Sequence, residues 1–192
     1  PDRIAELAPE LYKSIAVAQD LPDGRRSEAA QAVFLALLLH HAEDRCVARK
    51  SGTSEKKDAT GGIWHLSRSQ KEVWSGFADT LLSEDFMYHP YCQAAQDPNG
   101  TRAVFGASNE SEYYVDMVTD LVSLHTAVSR GCTEEALGGR VPEVEMFLRA
   151  RLCLLSRVFQ TCCDSTLVPV ADLLNHANEP SVLWNWDAEG QA

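Results

Sequence analysis

Asp172, Asn175 and His176 close the run Leu167-Val168-Pro169-Val170-Ala171-Asp172-Leu173-Leu174-Asn175-His176, whose other residues are all apolar. A carboxylate, an amide and an imidazole carried together into an interior cost on the order of 1–3 kcal/mol apiece unless each finds a partner. Two outcomes stay open on spacing alone. One is a capped turn, with Asp172 or Asn175 bonding local backbone; the other is a polar site built on that turn. The remaining histidines offer less. His40 and His41 are neighbours, about 100° apart on a helix, and cannot chelate one metal together. His65, His89 and His125 have no partner at ligand spacing, and His125 falls on an apolar stripe where a hydrogen-bonded core imidazole is expected. There is no G-x-S-x-G elbow, no Gly-rich phosphate loop and no H-E-x-x-H. The pairs Glu43-Asp44, Glu84-Asp85 and Glu134-Glu135 read as solvated surface. The cysteines at 46, 92, 132, 153, 162 and 163 form no C-x-x-C, so they read as unpaired thiols and not as a zinc or redox motif.

Composition narrows the partners. The 192 residues hold 17 Lys+Arg against 28 Asp+Glu, a formal charge of −11 that argues against a nucleic-acid backbone as the main partner. The longest apolar run, Ala32–Leu39, falls far short of the roughly 18 residues a membrane span needs. The chain opens at Pro1 with no basic-plus-apolar leader and stops soon after an apolar, strand-like run. It therefore reads as a piece of a longer product, whose location is open, with an intracellular or plastid one favoured over secretion.

The elements that would position the Asp-Leu-Leu-Asn-His segment are mostly helical. Ile4, Leu7, Leu11, Ile15 and Ala18 recur at helical spacing over 2–20, ending at Leu21-Pro22-Asp23-Gly24. A second helix, with Ser27 as its N-cap, runs through Phe34, Leu37 and Leu38 to about Ala48, and its Leu/Ala density makes it central. Residues 49–58 read as an exposed loop. Residues 67–83 place Val73, Trp74, Phe77 and Leu81 on one face. The Pro, Gly and Asn content of 85–109 predicts an irregular segment. An amphipathic helix over 111–129 carries Tyr114, Val118, Leu121, Val122, His125 and Val128. Gly131 and then Gly138-Gly139 mark turns, and Pro142 opens a buried helix through Phe159. Strand character appears only in Leu167–Val170 and Val182–Trp186.

The last of these helices contains Phe147-Leu148-Arg149-Ala150-Arg151 and ends in Ser156-Arg157-Val158-Phe159. Followed by Leu167–His176 and then Trp184-Asn185-Trp186-Asp187, it resembles SET-domain methyltransferases of the Rubisco large-subunit lysine methyltransferase type. That family carries a helix ending in S-R-x-F and then L-[IV]-P-[LV]-A-D-[ML]-[LI]-N-H. The likeness covers about 40 residues, from Phe147 to Asp187; upstream, 27–160 is similar in class to the all-helical insert that splits the SET fold. The resemblance implies S-adenosyl-L-methionine as cofactor, with Asn175 and His176 contacting it and Asp172 and Arg157 supporting the pocket. None of the four would be a general base; methyl transfer there is in-line displacement governed by positioning. No metal is implied. The Gly-x-Gly cofactor loop and the tyrosine-bearing segment of the family do not occur in these 192 residues, and Ala177 stands where Ser or Cys often follows Asn-His.

These readings combine into a mainly α fold, with a helical insert leading into a short β element of a SET domain. The expected divisions are 1–26, an N-terminal helix and linker; 27–160, the insert-like region; and 161–192, a partial SET core. The implied activity is that of part of a protein (lysine) N-methyltransferase acting on a protein substrate. The alternative is a non-catalytic SET-like helical module that docks on a larger protein assembly. The 192 residues alone are expected neither to bind the cofactor tightly nor to transfer its methyl group.

Overall fold

The apolar spacing in the sequence resolves into helices wrapped around one buried rod. A computed structural model describes residues 3–52, 65–83, 89–106, 108–160 and 165–167. The chain is mainly helical: α1 (Arg3–Leu7), α2 (Pro9–Val17), a 3-10 turn (Asp23–Arg25), α3 (Arg26–Ser51), α4 (Arg68–Ser83), α5 (Pro90–Gln96), α6 (Pro98–Phe105), α7 (Asn109–Gly131) and α8 (Val144–Arg157). The backbone then forms two three-residue strands, β1 (Val158–Gln160) and β2 (Ser165–Leu167), paired antiparallel. No helix among the described residues is long and apolar enough to cross a membrane.

The Leu/Ala-dense α3 is the rod. Ala29, Ala30 and every residue from Ala32 to His40 are buried, so the helix is covered on all sides from Ala32 to His40. The helices α2, α4 and α8 lie against it, joined by the C-terminal half of α7. Phe147, Ala150, Cys153 and Leu154 of α8 fill one side of this core, and Phe77, Ala78 and Leu81 of α4 fill another. Ile4, Leu11, Ile15 and Leu21 belong to the same core, so residues before 26 pack with those after it. Gly131 ends α7 where a Cβ would stand 2.6 Å from that of Ala18, a close approach only glycine permits.

A smaller group sits apart. The short helices α5 and α6 pack on the N-terminal half of α7 around Ala94, Val115 and Val118, with Tyr91 and Tyr114 laid over them.

Several expectations are corrected. The 85–109 segment is not irregular where it is described: α5 and α6 each begin with proline and are capped, by His89 and by Asp97. The 2–20 helix is two helices, divided at Ala8 ahead of Pro9, whose ring cannot continue a helix from within. Ser27 is not the N-cap of α3; the preceding 3-10 turn feeds the helix directly, and Arg25 takes the cap position. The helix expected from Pro142 through Phe159 runs from Val144 to Arg157, because Val158 turns into extended backbone. Val73 and Val122 point outward, leaving those stripes narrower than expected. The loop residues 53–58, the strands expected at 168–170 and 182–186, Ala177, Cys162 and Cys163 lie outside the described residues.

Candidate functional site

Of the four residues singled out for cofactor binding, Arg157 is described. It is the last residue of α8, half-buried, immediately ahead of β1. Asp172, Asn175 and His176 lie outside the described residues. The helix that presents Arg157 is fixed along its length. Arg149 donates to the carbonyls of Leu81 (3.0 Å) and Leu82 (2.9 Å), satisfying two of the acceptors that end α4. Arg151 reaches Glu28 at 2.6 Å. The Ser156 hydroxyl donates back to the Leu152 carbonyl at 2.8 Å.

Arg151 belongs to a quartet of charges. Arg25 bonds Glu28 through two nitrogens and takes both carboxylate oxygens of Asp120, at 2.9 and 3.0 Å. One carboxylate of α3 thus holds two guanidiniums, one from the 3-10 turn and one from α8, while Asp120 of α7 balances the charge. The Arg151 side chain is only 11% exposed. Burial pulls its affinity for the proton below the ordinary guanidinium value, and the nearby Glu28 opposes that pull. Hydrogen bonding to Glu28 raises that of Arg25.

A second polar feature meets α8 at its start. The peptide unit joining Pro142 to Glu143 is held from both sides by imidazoles. His125 of α7 lies with Nε2 2.7 Å from the Pro142 carbonyl, to which it donates; its ring stands edge-on to Phe147. From α3, His40 accepts the Glu143 N–H on Nε2 at 3.3 Å. An imidazole can accept there only when Nε2 is unprotonated, so His40 is neutral, with its proton on Nδ1. Burial lowers its basicity first, and Arg140 adds to that effect against the carboxylates of Glu143, Glu43 and Asp44. His125 is therefore the hydrogen-bonded interior histidine expected from its place on the α7 stripe.

Neither feature is built for catalysis. His40 is 3% exposed, with Nε2 already committed to backbone. The quartet spends its charges on one another. Burial pushes the thiols of Cys92 and Cys132 above their usual range, which leaves both protonated and poorly nucleophilic at neutral pH. Cys46, Cys92 and Cys132 are free thiols, and the described residues hold no trio of His, Cys, Asp or Glu placed to bind a metal.

The sequence pattern points to His125 but not to His40 or the quartet, although each left a signal. His40 closes an unbroken apolar run, and Arg151 stands between the buried Ala150 and Leu152. A polar group at such a position has to find a partner across the core. No protein-family model, no curated protein and no solved structure matches the chain.

Proposed function

We propose that the chain is part of an S-adenosylmethionine-dependent protein-lysine N-methyltransferase of the SET type. The observation that carries this reading is the order of two linked motifs: Ser156-Arg157-Val158-Phe159 at the end of α8, and Leu167–His176 eight residues later. The mainly helical region before them agrees with a SET insert. In this reading Asn175 and His176 contact the cofactor, Asp172 and Arg157 support its pocket, and the short β element near 167–170 begins the SET core. The helices hold the strand and present the protein substrate. The fixed seating of α8 on α3 and α4 supports that role, since transfer by positioning needs a rigid mount.

Calorimetry with S-adenosylmethionine tests the reading on this chain and on the chain extended by any sequence that flanks it in its gene. This chain alone is expected not to bind tightly. The extended polypeptide is expected to bind, and Asn175→Ala to weaken it by roughly tenfold through loss of a buried hydrogen-bond partner. Micromolar binding by this chain alone would show that its own residues complete the pocket. Absence of binding in both favours the second reading, a non-catalytic module that docks on a protein assembly. That reading draws on the solvent-facing rings of the α5–α7 group.

A further inference from the structure

The α5–α7 group carries more aromatic surface than its small core requires. Tyr114 lies over Val115 and Val118 and is met by Tyr91 (ring centroids 5.3 Å, edge-on), Phe105 (5.5 Å) and Tyr113 (5.8 Å, edge-on). The hydroxyl of Tyr91 donates to that of Tyr113 at 3.4 Å. Burial and that hydrogen bond push the Tyr91 hydroxyl up to about 12, so it stays protonated. The outer rings are open to solvent, Tyr113 at 53% and Phe105 at 41%. Supported rings of this kind give a firm aromatic face, held by neighbours instead of by the visitor.

Charge decides what suits that face. Residues 89–118 contain four carboxylates, Asp97, Glu110, Glu112 and Asp116, against one guanidinium, Arg102. Arg102 is engaged with Glu112 through two bonds of 2.9 and 3.1 Å. On the helix α7, Glu110 and Asp116 stand three residues before and three after Tyr113, so they border its ring on the same exposed side. An aromatic face between two carboxylates repels anions and attracts cations, by the ring quadrupole and by Coulomb attraction together. A purely apolar partner would leave both carboxylates poorly hydrated at its rim.

We propose that the Tyr113 face of α7, bordered by Glu110 and Asp116, docks a basic segment of a partner protein, seating a lysine or arginine side chain against the ring. The alkyl stem of that side chain lies on the Tyr113 ring, and its charged head lies between the carboxylates. The inference is independent of methyl transfer, because loss of cofactor binding would leave this surface unchanged.

Titration of the isotope-labelled chain with an end-blocked peptide alternating glycine with three lysines tests it. Its lysine-acetylated and glutamate counterparts are the controls. Expected are shifts confined to Tyr113 and its neighbours, upfield movement of the lysine methylene protons from the ring current, and affinity that falls as salt rises. The acetylated peptide should bind at least fivefold more weakly, and the glutamate peptide should leave the spectrum unchanged. Tyr113→Leu, which keeps an apolar surface at an exposed site, should abolish the upfield shifts and weaken binding about fivefold. The pair Glu110→Gln and Asp116→Asn should remove most of the salt dependence. Far-UV circular dichroism identical to the parent checks that both variants fold. Equal binding of the lysine and acetylated peptides, binding untouched by Tyr113→Leu, no binding, or a face occluded by self-association in sedimentation would each overturn the proposal.

Discussion

The core around α3 and the α5–α7 group are both helical, but they are held together differently. Around α3 the contacts are mostly aliphatic, with Leu35, Leu39, Leu11, Ile15 and Leu81 almost wholly removed from water, and the rings of Phe34, Phe77 and Phe147 are buried among them. Dispersion and hydrophobic burial dominate there, and the region accommodates a half-buried charge quartet and a nearly buried histidine. Among the described residues the core of the α5–α7 group has three buried apolar residues, and the group relies on rings, caps and local hydrogen bonds. Its helices α5 and α6 span seven and eight residues, too short to persist without docking. The first region is therefore tolerant of its surface and intolerant of cavities. For the second the reverse holds, since each cap or ring supplies a large share of its stability.

The sharpest way to break the comparison is a cavity in the larger core. Phe147 is fully buried on α8 and touches the His125 ring, so Phe147→Ala should cost about 3–5 kcal/mol and lower the urea midpoint of the whole chain. Hydrogen exchange should speed up in α3, α4 and α8 together. An effect confined to α8 would show that these helices are not one cooperative core.

Next in size is the charge quartet. Glu28→Gln removes the carboxylate that holds both Arg25 and Arg151, leaving two guanidiniums close together with Asp120 bound to only one of them. About 2–3 kcal/mol should be lost, because an uncompensated buried charge costs more than its pair contributed. Arg151→Met removes the buried charge itself and should cost less than Glu28→Gln. Denaturant titrations of the two variants make the comparison, and the opposite ranking would mean that Arg151 matters for its packing and not for its charge.

The smaller region is tested at its cap. Asp97 accepts the Gly100 N–H at 2.8 Å and its backbone carbonyl takes the Thr101 hydroxyl, fixing the start of α6. Asp97→Ala should cost about 1 kcal/mol. Amide exchange should rise in α5 and α6 while the α3 core keeps its protection; equal acceleration in both regions would unite what the packing divides.

The two regions also differ in how much of them the sequence discloses. The α3 rod, the α7 stripe and most of α8 follow from leucine and alanine spacing, because a large core imposes its periodicity on every helix that faces it. The α5–α6 pair does not follow from it. Pro90, Pro98, Asn99 and Gly100 are breakers inside a helix but acceptable in a first turn, and which role applies depends on caps formed by the preceding His89 and Asp97. The quartet joins Arg25 to Asp120 and Arg151, pairings remote in the chain that no local pattern encodes. Asp172, Asn175 and His176 stand on the strength of the motif, since only Arg157 of that set lies among the described residues.

The smallest effect at neutral pH is the one that grows with acid, and it compares the two regions through a device they share. His40 accepts the Glu143 N–H just ahead of α8, and His89 accepts the Tyr91 N–H at the start of α5, at 3.3 Å in each case. Burial lowers the proton affinity of both below the ordinary 6.5. A histidine less basic when folded than when unfolded means that the unfolded chain takes up more protons between the two values. Its stabilising contribution is therefore complete above about 6.5 and is lost as the pH falls toward the folded value. Protonation also destroys each acceptor and puts a positive charge where a helix begins, the end that disfavours cations. Both regions should loosen below about pH 6.5, and the nearly inaccessible His40 should dominate in the α3 core. His40→Gln, whose side-chain carbonyl can still accept, should flatten the acid limb of the α3-core stability profile, and His89→Gln should flatten that of the smaller group. Residue-resolved hydrogen exchange from pH 7.5 to 5 reads the two regions separately. An acid limb unchanged in His40→Gln would show that the imidazole clamp on the Pro142–Glu143 peptide does not link α8 to pH.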